Sequence, residues 1–571
     1  MSNRWNNISF FKTFGLLTFI CVSRFVSALP PQMIVQSGEW VYDALAVLSR
    51  EQQRVSFADS VLTIEQIERI VSELDKETLS PSGKLLYEQI EAYLHSSPWL
   101  SLESDALTLG IDAVLQPEFY FKTNPAANWI YDYHRRNPLF SSSISFSLGS
   151  FMTLELDPYY GQNEYAATLH DNYINVPLDP VAQTDLHFPK WAYLSAGLPL
   201  GRFSGIHFAA GIGNNFLGRT GTGSVILSEY MERVNYAQLS LYSPLLKYTM
   251  EVMQLQTLKY QYMHYLHVRP YKTISLTFTE GLMVNAPLEL RYLNPLMIFH
   301  GYEAYKTYDD YNDDLANKGN KGTVDQSGTS RIGSYFGAKI EFQPFKYLRF
   351  YGLFAMDQLQ LGIERANWSD DLTPDALAFQ AGTEVSIPVR RGYWTFSLEG
   401  VYTYPYMYVL YDKNWSFYKE LDEFDKMTIR YWTGTPFGPD SIAGAFSSGY
   451  YALYPDGKSQ WSLKFSFLFL AQGERADPAI FDTDDYRPSP AVADVVVPPT
   501  GIPMYTYTLS LLGKWSPFDW LHAVVQPGYR IISNHQHISG KLEHGFELIF
   551  SVKVNPPLKW KTRYQVPGPG Y

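Results

Sequence analysis

The run YPYMYVLYDKNWSFYKELDEFDKMTIRYWTGTPFGPD, residues 404–440, interleaves Tyr406, Tyr408, Tyr411, Trp415, Tyr418, Tyr431 and Trp432 with Asp412, Glu420, Asp422, Glu423 and Asp425. Aromatic rings stack on the C–H faces of sugars and carboxylates accept hydrogen bonds from their hydroxyls, so a few polar groups orient what aromatic walls hold. Trp415, Tyr418, Trp432, Asp412 and Glu420 are therefore the candidate polysaccharide contacts. The competing reading makes these rings anchors at a membrane–water interface, where Trp and Tyr are enriched in any case.

Other stretches carry less chemistry. Asp309, Asp310, Asp313 and Asp314 crowd hard oxygen ligands into YKTYDDYNDDLANKGNKG, but the spacing lacks the calcium-loop pattern and a solvated acidic loop fits better. The glycine run from Gly211, GIGNNFLGRTGTGSVILSEY, lacks the closing Gly-Lys-Ser/Thr and the helix of a phosphate loop; it reads as a tight extracellular loop whose glycines permit positive φ. His264 and His267, three apart on a strand, face opposite sides and cannot share a metal. His535 and His537 fall beside Asn534 in an expected outer loop. There is no Ser-His-Asp order, nucleophile elbow or HExxH helix. A carboxylate pair for glycoside cleavage stays open, because its separation of about 5 to 9 Å is a spatial matter. The expectation is a protein with no catalytic residues, no metal and no cofactor.

The chain that carries these residues is aromatic without being hydrophobic on average. Of 571 residues 16% are aromatic, with 44 Tyr, 35 Phe and 13 Trp, yet the mean hydropathy is −0.18. Alternating lipid-facing and water-facing positions produce that combination. A net charge of −12 lacks the basic footprint of a nucleic-acid binder. Residues 1–28 read as a secretory signal: Arg4 and Lys12, an apolar run from Phe14 to Val22, and the cleavage site Val26-Ser27-Ala28. Cys21, the only cysteine, lies inside it, so no disulfide or thiolate chemistry is expected of the mature chain. Beyond the signal no apolar run is long enough for a membrane helix.

Residues 29–104 read as a small helical region, periplasmic or plugging a barrel mouth. SGEWVYDALAVLSRE sets Val41, Leu45 and Leu48 on one face after a Ser37 cap. TIEQIERIVSEL opens on Thr63 with Gln66 three residues on, a capping box. SPSGKLLYEQIEAYL begins with Ser80 and Pro81, the favoured order of cap and first helical residue. From residue 105 to 555 the period becomes two. WSLKFSFLFLAQ puts Trp461, Leu463, Phe465, Phe467 and Phe469 on one side and Ser462, Lys464, Ser466 and Leu468 on the other. ISFSLGSFMTLEL, read as one strand, does the same with Ile144, Phe146, Leu148, Met152, Leu154 and Leu156.

Periodicity alone leaves a soluble sandwich and a wide barrel both open. Aromatics near strand ends, at Trp461, Trp515, Tyr402 and Tyr404, favour membrane girdles. Short proline turns recur at Asn137, Leu198, Ser243, Arg269, Gln343, Ile387, Ser516 and Asn555, and every other connection is expected to be longer and polar. Tight turns at one end and long loops at the other belong to a closed transmembrane antiparallel β-barrel. Closure is required because an open edge in hydrocarbon leaves backbone groups unpaired. Pairing strands around the turns gives about eighteen, within sixteen to twenty. Residues 556–571 form a C-terminal tail, with KWKTRYQV either a further short strand or part of a free end.

Two stretches carry a family resemblance. In LGRTGTGSVILSEYMERVNY, Gly218, Gly221, Gly223, Ser224, Leu227 and Ser228 match a Gly-rich segment that leads into a strand and a polar turn; Val225 departs from the pattern. TFTEGLMV followed by ELRYLNPLMIF adds Glu280, Gly281, Leu293, Asn294 and Pro295. In these motifs and in their order the chain resembles the capsule-assembly Wzi-like outer-membrane proteins. The resemblance implies an eighteen-stranded barrel with a helical plug, whose outer surface binds or anchors surface polysaccharide without catalysis. It places the protein in the outer membrane of a diderm bacterium, with lipid and polysaccharide as partners and a monomer as the expected state. The alternative is a porin or small-solute channel, from the Lys, Glu, Ser and Thr on the inward faces.

Overall fold

The computed structural model describes residues 29–563 apart from 105, 127–135, 163–171, 179–183, 186–188, 202–203, 300–331, 360–373, 410–415, 424–426, 455–459 and 477–496. The signal segment, the Asp309–Asp314 cluster, Trp415 and Asp412 lie outside the described residues.

Three helices come first: α1 (Trp40–Glu51), α2 (Ile64–Ser72) and α3 (Pro81–Leu94). Glu39, not Ser37, occupies the cap position of α1 and makes no side-chain cap bond; Val41, Leu45 and Leu48 form its buried stripe. Both halves of the α2 box are made, Thr63 Oγ1 accepting from Gln66 N and Gln66 Oε1 from Thr63 N, each at 3.3 Å. Thr63→Ala is expected to cost about 1 kcal/mol, read as a lower urea midpoint of the helical circular-dichroism signal. Ser80 Oγ caps α3 by accepting from Gly83 N at 3.0 Å, with Pro81 leading the first turn.

The barrel strands are β1 (Leu107–Leu115, continued by Glu118–Lys122), β2 (Phe140–Leu148), β3 (Met152–Leu156, continued by Tyr159–Tyr160), β4 (Ala192–Pro199), β5 (Gly205–Gly213) and β6 (Val234–Tyr242). They continue as β7 (Leu246–Gln256), β8 (Lys259–Tyr271), β9 (Ile274–Asn285), β10 (Ile332–Phe345), β11 (Leu348–Gln358) and β12 (Ala376–Val389). The last six are β13 (Gly392–Thr403), β14 (Ser441–Ala452), β15 (Gln460–Gln472), β16 (Met504–Phe518), β17 (Leu521–Ser533) and β18 (Leu542–Val554). Each pairs antiparallel with the next, and β18 returns to β1 through Glu547↔Lys122, Ser551↔Glu118 and Val554↔Leu115, closing an eighteen-stranded barrel.

Alternation does what the sequence requires of it. Trp461, Leu463 and Phe465 stand exposed on the outside of β15, as do Tyr507, Leu509 and Leu511 on β16. Around the tight-turn end Trp394, Tyr450 and Trp461 form a contiguous row, with centroids 5.0 and 5.2 Å apart, and Trp461 pairs across strands with Trp515. At the other end Tyr402 and Tyr404, and Phe469 with Tyr505 and Tyr507, make the second girdle. Two aromatic belts bounding an apolar band mark a barrel that faces lipid.

Four connections differ from the sequence expectation. ISFSLGSFMTLEL is a hairpin, turning at Gly149 with φ +52°, and Leu148 pairs with Met152. Residues opposite each other share a face, so the period of two runs through this turn unbroken. Asn137 precedes β2 at the long-loop end, and Asn555 follows β18 without joining two barrel strands. At that same long-loop end β7 and β8 are joined by only Thr257 and Leu258, the latter with φ +60°. After β18 the short strand Trp560–Arg563 runs parallel to Leu100–Glu103, which itself pairs with the lower part of β1.

The helices dock on the tight-turn end. Gln32 Nε2 donates to Ser150 O (3.0 Å), Arg69 Nη1 to Ser204 O (3.1 Å) and Val55 N to Lys272 O (2.8 Å). Arg50 O accepts from Tyr347 N (2.7 Å), and Ser82 Oγ from Gly392 N (2.9 Å). Turn after turn is thereby held by the helical region, which plugs this mouth.

Candidate functional site

Two segments enter the lumen from opposite ends and meet. The chain between α1 and α2 brings in Asp59, bound to Lys339, and Ser60, which accepts from Lys247 Nζ at 2.8 Å. Lys339 also pairs with Glu341 at 2.8 Å, and Glu341 with Arg349 at 2.7 Å. From the long-loop end the connection 214–233 folds inward: Gly218 N donates to Asp59 O at 2.8 Å, and Arg219 reaches Asp43 on α1. Glu384 on β12 collects Arg50 of the plug, Arg349 of the wall (3.3 Å) and Arg219 of the inward loop (3.5 Å). Of the inward-facing charges that permit a channel reading, Lys247, Lys339 and Glu384 are here spent on holding the plug and the loop.

The glycine motif builds that loop. Gly218 and Gly223 have φ +90° and +94°, so left-handed backbone is needed at both. Gly221 N donates to Glu399 Oε2 at 2.7 Å and Thr222 Oγ1 binds the same carboxylate. Ser224 Oγ donates to Leu217 O, and Ser228 N to Thr433 O at 2.8 Å. Leu217, Val225, Ile226 and Leu227 are fully buried. The tight loop read from the sequence is thus folded into the lumen.

Above it lies the connection 404–440, with the hairpin Tyr418–Glu423 and Met427–Trp432. Tyr418 is 1% and Trp432 8% exposed. They meet edge to face at 5.4 Å, with Lys259 Nζ 4.0 Å and the Arg430 guanidinium 4.6 Å from the Tyr418 ring. Both rings are packing beneath the outer surface, with no open face for a sugar. Glu420 pairs with Arg430 at 2.6 Å and stays partly accessible at the rim, where Arg233 also pairs with Asp185 at 3.3 Å. Lys419 Nζ donates to the Glu232 and Arg233 carbonyls at 2.8 Å. Its burial, helped by the Arg233 charge, pushes the ammonium down to about 8. Burial likewise raises the Asp440 carboxyl, although Thr500 N and Arg475 N donate to it at 3.0 and 3.1 Å.

Histidine placement follows strand parity: His267 points into the lumen and bonds Thr277 Oγ1 at 2.9 Å, while His264 points outward. Among the described residues no three His, Cys, Asp or Glu side chains converge as a metal site would require.

A closed transmembrane barrel with a helical plug and an inward-folded loop is the class of protein this geometry defines. Among solved structures the chain is similar to Wzi of Escherichia coli, described as an outer membrane protein involved in group 1 capsule assembly and a carbohydrate-binding β-barrel. That likeness has a TM-score of 0.53 at 12% identity, over 92% of this chain and 99% of that one. The outer membrane channel DcaP of Acinetobacter baumannii (TM-score 0.32, 8% identity, 79% and 98% covered) and OprD of Pseudomonas aeruginosa (0.35, 8%, 78% and 95%) are also similar. No family model and no curated sequence relative matches the chain. The resemblance read from the motifs is therefore met at the level of the fold.

Proposed function

We propose that this chain is an outer-membrane barrel that binds surface polysaccharide at its long-loop end and holds it there without chemical turnover. The observation that carries the reading is that plug and inward loop meet inside the lumen, where Arg219 reaches Asp43, so the long-loop end is supported from beneath by the helical region. Wzi, the similar barrel, is described as carbohydrate-binding, which favours the same ligand class. Trp415, Asp412 and Glu420 remain the proposed sugar contacts, with Tyr418 and Trp432 holding the hairpin from beneath. In this reading the helical region faces the periplasm.

Binding to purified capsular polysaccharide is expected to fall at least about tenfold, or about 1.4 kcal/mol, in Trp415→Ala with Glu420→Gln. Planar-bilayer conductance of the wild-type chain is expected near baseline. A large steady current together with unchanged glycan binding in the double variant would establish a diffusion channel instead.

A further inference from the structure

The connection that follows β9 turns over the rim and lies down against the outside of the wall. Parity fixes the side. Met263 and Tyr265 of β8 and Met283 of β9 belong to the inner core, so Tyr262, His264, Leu282 and Val284 point outward. These outward residues are buried all the same, and residues 286–299 bury them. Ala286, Tyr292, Met297 and Phe299 form with Tyr262, Leu282 and Val284 a second apolar core, separate from the lumen. Tyr292 lies 5.0 Å from the Tyr262 ring and Phe299 4.3 Å from the His264 ring. Tyr248 OH donates to Pro295 O at 2.6 Å, Glu289 N to Tyr262 OH at 3.2 Å, and Leu296 N to Asn294 Oδ1 at 3.1 Å. The motif positions Asn294 and Pro295 thus shape this strap, and Glu280 sits beside its seat as the cross-strand partner of His264.

The strap's other face is apolar and uncovered. Leu288 is 50%, Leu290 80%, Leu296 89% and Ile298 70% exposed. Its two charges, Glu289 and Arg291, pair with each other at 2.6 Å. The patch is continuous with the lipid-facing wall, where Phe278 of β9 and Ile340 of β10 stand 53% and 51% exposed. His264, under the strap, lies five residues from the long-loop end of the 13-residue β8. At the usual tilt that is about 12 Å down the wall, within the apolar band. Four large aliphatic groups in water would be a liability; in acyl chains they are at home.

We propose that residues 286–299 form a strap embedded in the bilayer leaflet on the long-loop side, with Leu288, Leu290, Leu296 and Ile298 against lipid acyl chains. Its inner face screens the outward-pointing His264 and Tyr248 from the hydrocarbon.

Cys21 is the only cysteine, so a Cys21→Ser background allows single labelling. Leu296→Cys carrying an environment-sensitive fluorophore is placed in phosphatidylcholine vesicles containing doxyl-labelled acyl chains, with Gln536→Cys, exposed in the connection 534–541, as the aqueous reference. The Leu296 probe is expected to lose several-fold intensity to doxyl lipid and almost none to aqueous iodide, and the Gln536 probe to do the reverse. Leu290→Cys is expected to behave like Leu296→Cys. Iodide quenching at both strap positions without lipid quenching would put the strap in water and overturn the proposal. Disulfide-linked dimers of unlabelled Leu296→Cys, with quenching of the labelled protein by neither agent, would overturn it in favour of a second copy as the occupant.

Discussion

Glu384→Ala is expected to destabilise the barrel by about 3–5 kcal/mol, the cost of stripping a buried cluster of its shared counter-charge. Three guanidinium groups from three parts of the molecule converge on this carboxylate: Arg50 from α1, Arg219 from the inward loop and Arg349 from β11. Arg50 and Arg349 side chains are only 5% and 3% exposed, so water cannot replace the lost partner. The plug and the loop share this anchor, so both are expected to loosen together. The measurement is urea unfolding in detergent, joined to planar-bilayer recording: a lower midpoint and new, flickering current are expected from Glu384→Ala. Combining Glu384→Met with Arg50→Met is expected to recover part of the stability, because removing both members of a buried pair costs less than removing one. Unchanged stability and a silent bilayer in Glu384→Ala would show that the plug is held by its backbone contacts to the turns alone.

The barrel was legible because its determinant is local. Side chains at positions such as Trp461, Leu463 and Phe465 alternate against Ser462 and Lys464 whatever the neighbouring strand does, and the α2 box needs only Thr63 and Gln66. Features that depend on distant partners were not legible. Tyr418 and Trp432 look like sugar platforms in their own stretch; what buries them includes Lys259, from a strand about 160 positions earlier. The glycine motif reads as a loop, but its descent into the lumen depends on Glu399 and Gln380 waiting on the far wall. The strap escaped for a related reason: in LMIF both the buried Met297 and Phe299 and the exposed Leu296 and Ile298 are apolar, so no polar face announces a surface. That is itself a sign of lipid on one side and protein on the other.

Gly223→Val is expected to abolish the inward fold of the 214–233 connection, while Gly221→Ala is expected to leave it intact. Gly223 sits at φ +94°, where a β-branched residue is an outlier, at a cost of roughly 1–3 kcal/mol. A Cβ there would also lie 2.6 Å from Ser228 Oγ and 2.9 Å from Pro436 Cδ, and Pro436 belongs to the connection that carries the candidate sugar contacts. Overpacking of this kind adds about 1–3 kcal/mol. The loop cannot move alone: Gly223 O accepts from Gln380 Nε2 at 3.0 Å, and Ser228 N holds Thr433 O beneath the hairpin. At Gly221 the nearest atom to a new Cβ is Glu399 Oε2 at 3.5 Å, ordinary contact, and its φ is not left-handed. Polysaccharide binding is therefore expected to fall at least about tenfold in Gly223→Val, with ion conductance appearing as the lumen opens, and to stay near wild type in Gly221→Ala. Equal behaviour of the two variants would mean that the glycines act through flexibility of the whole segment, and that the left-handed turn at Gly223 does not set the height of the outer surface.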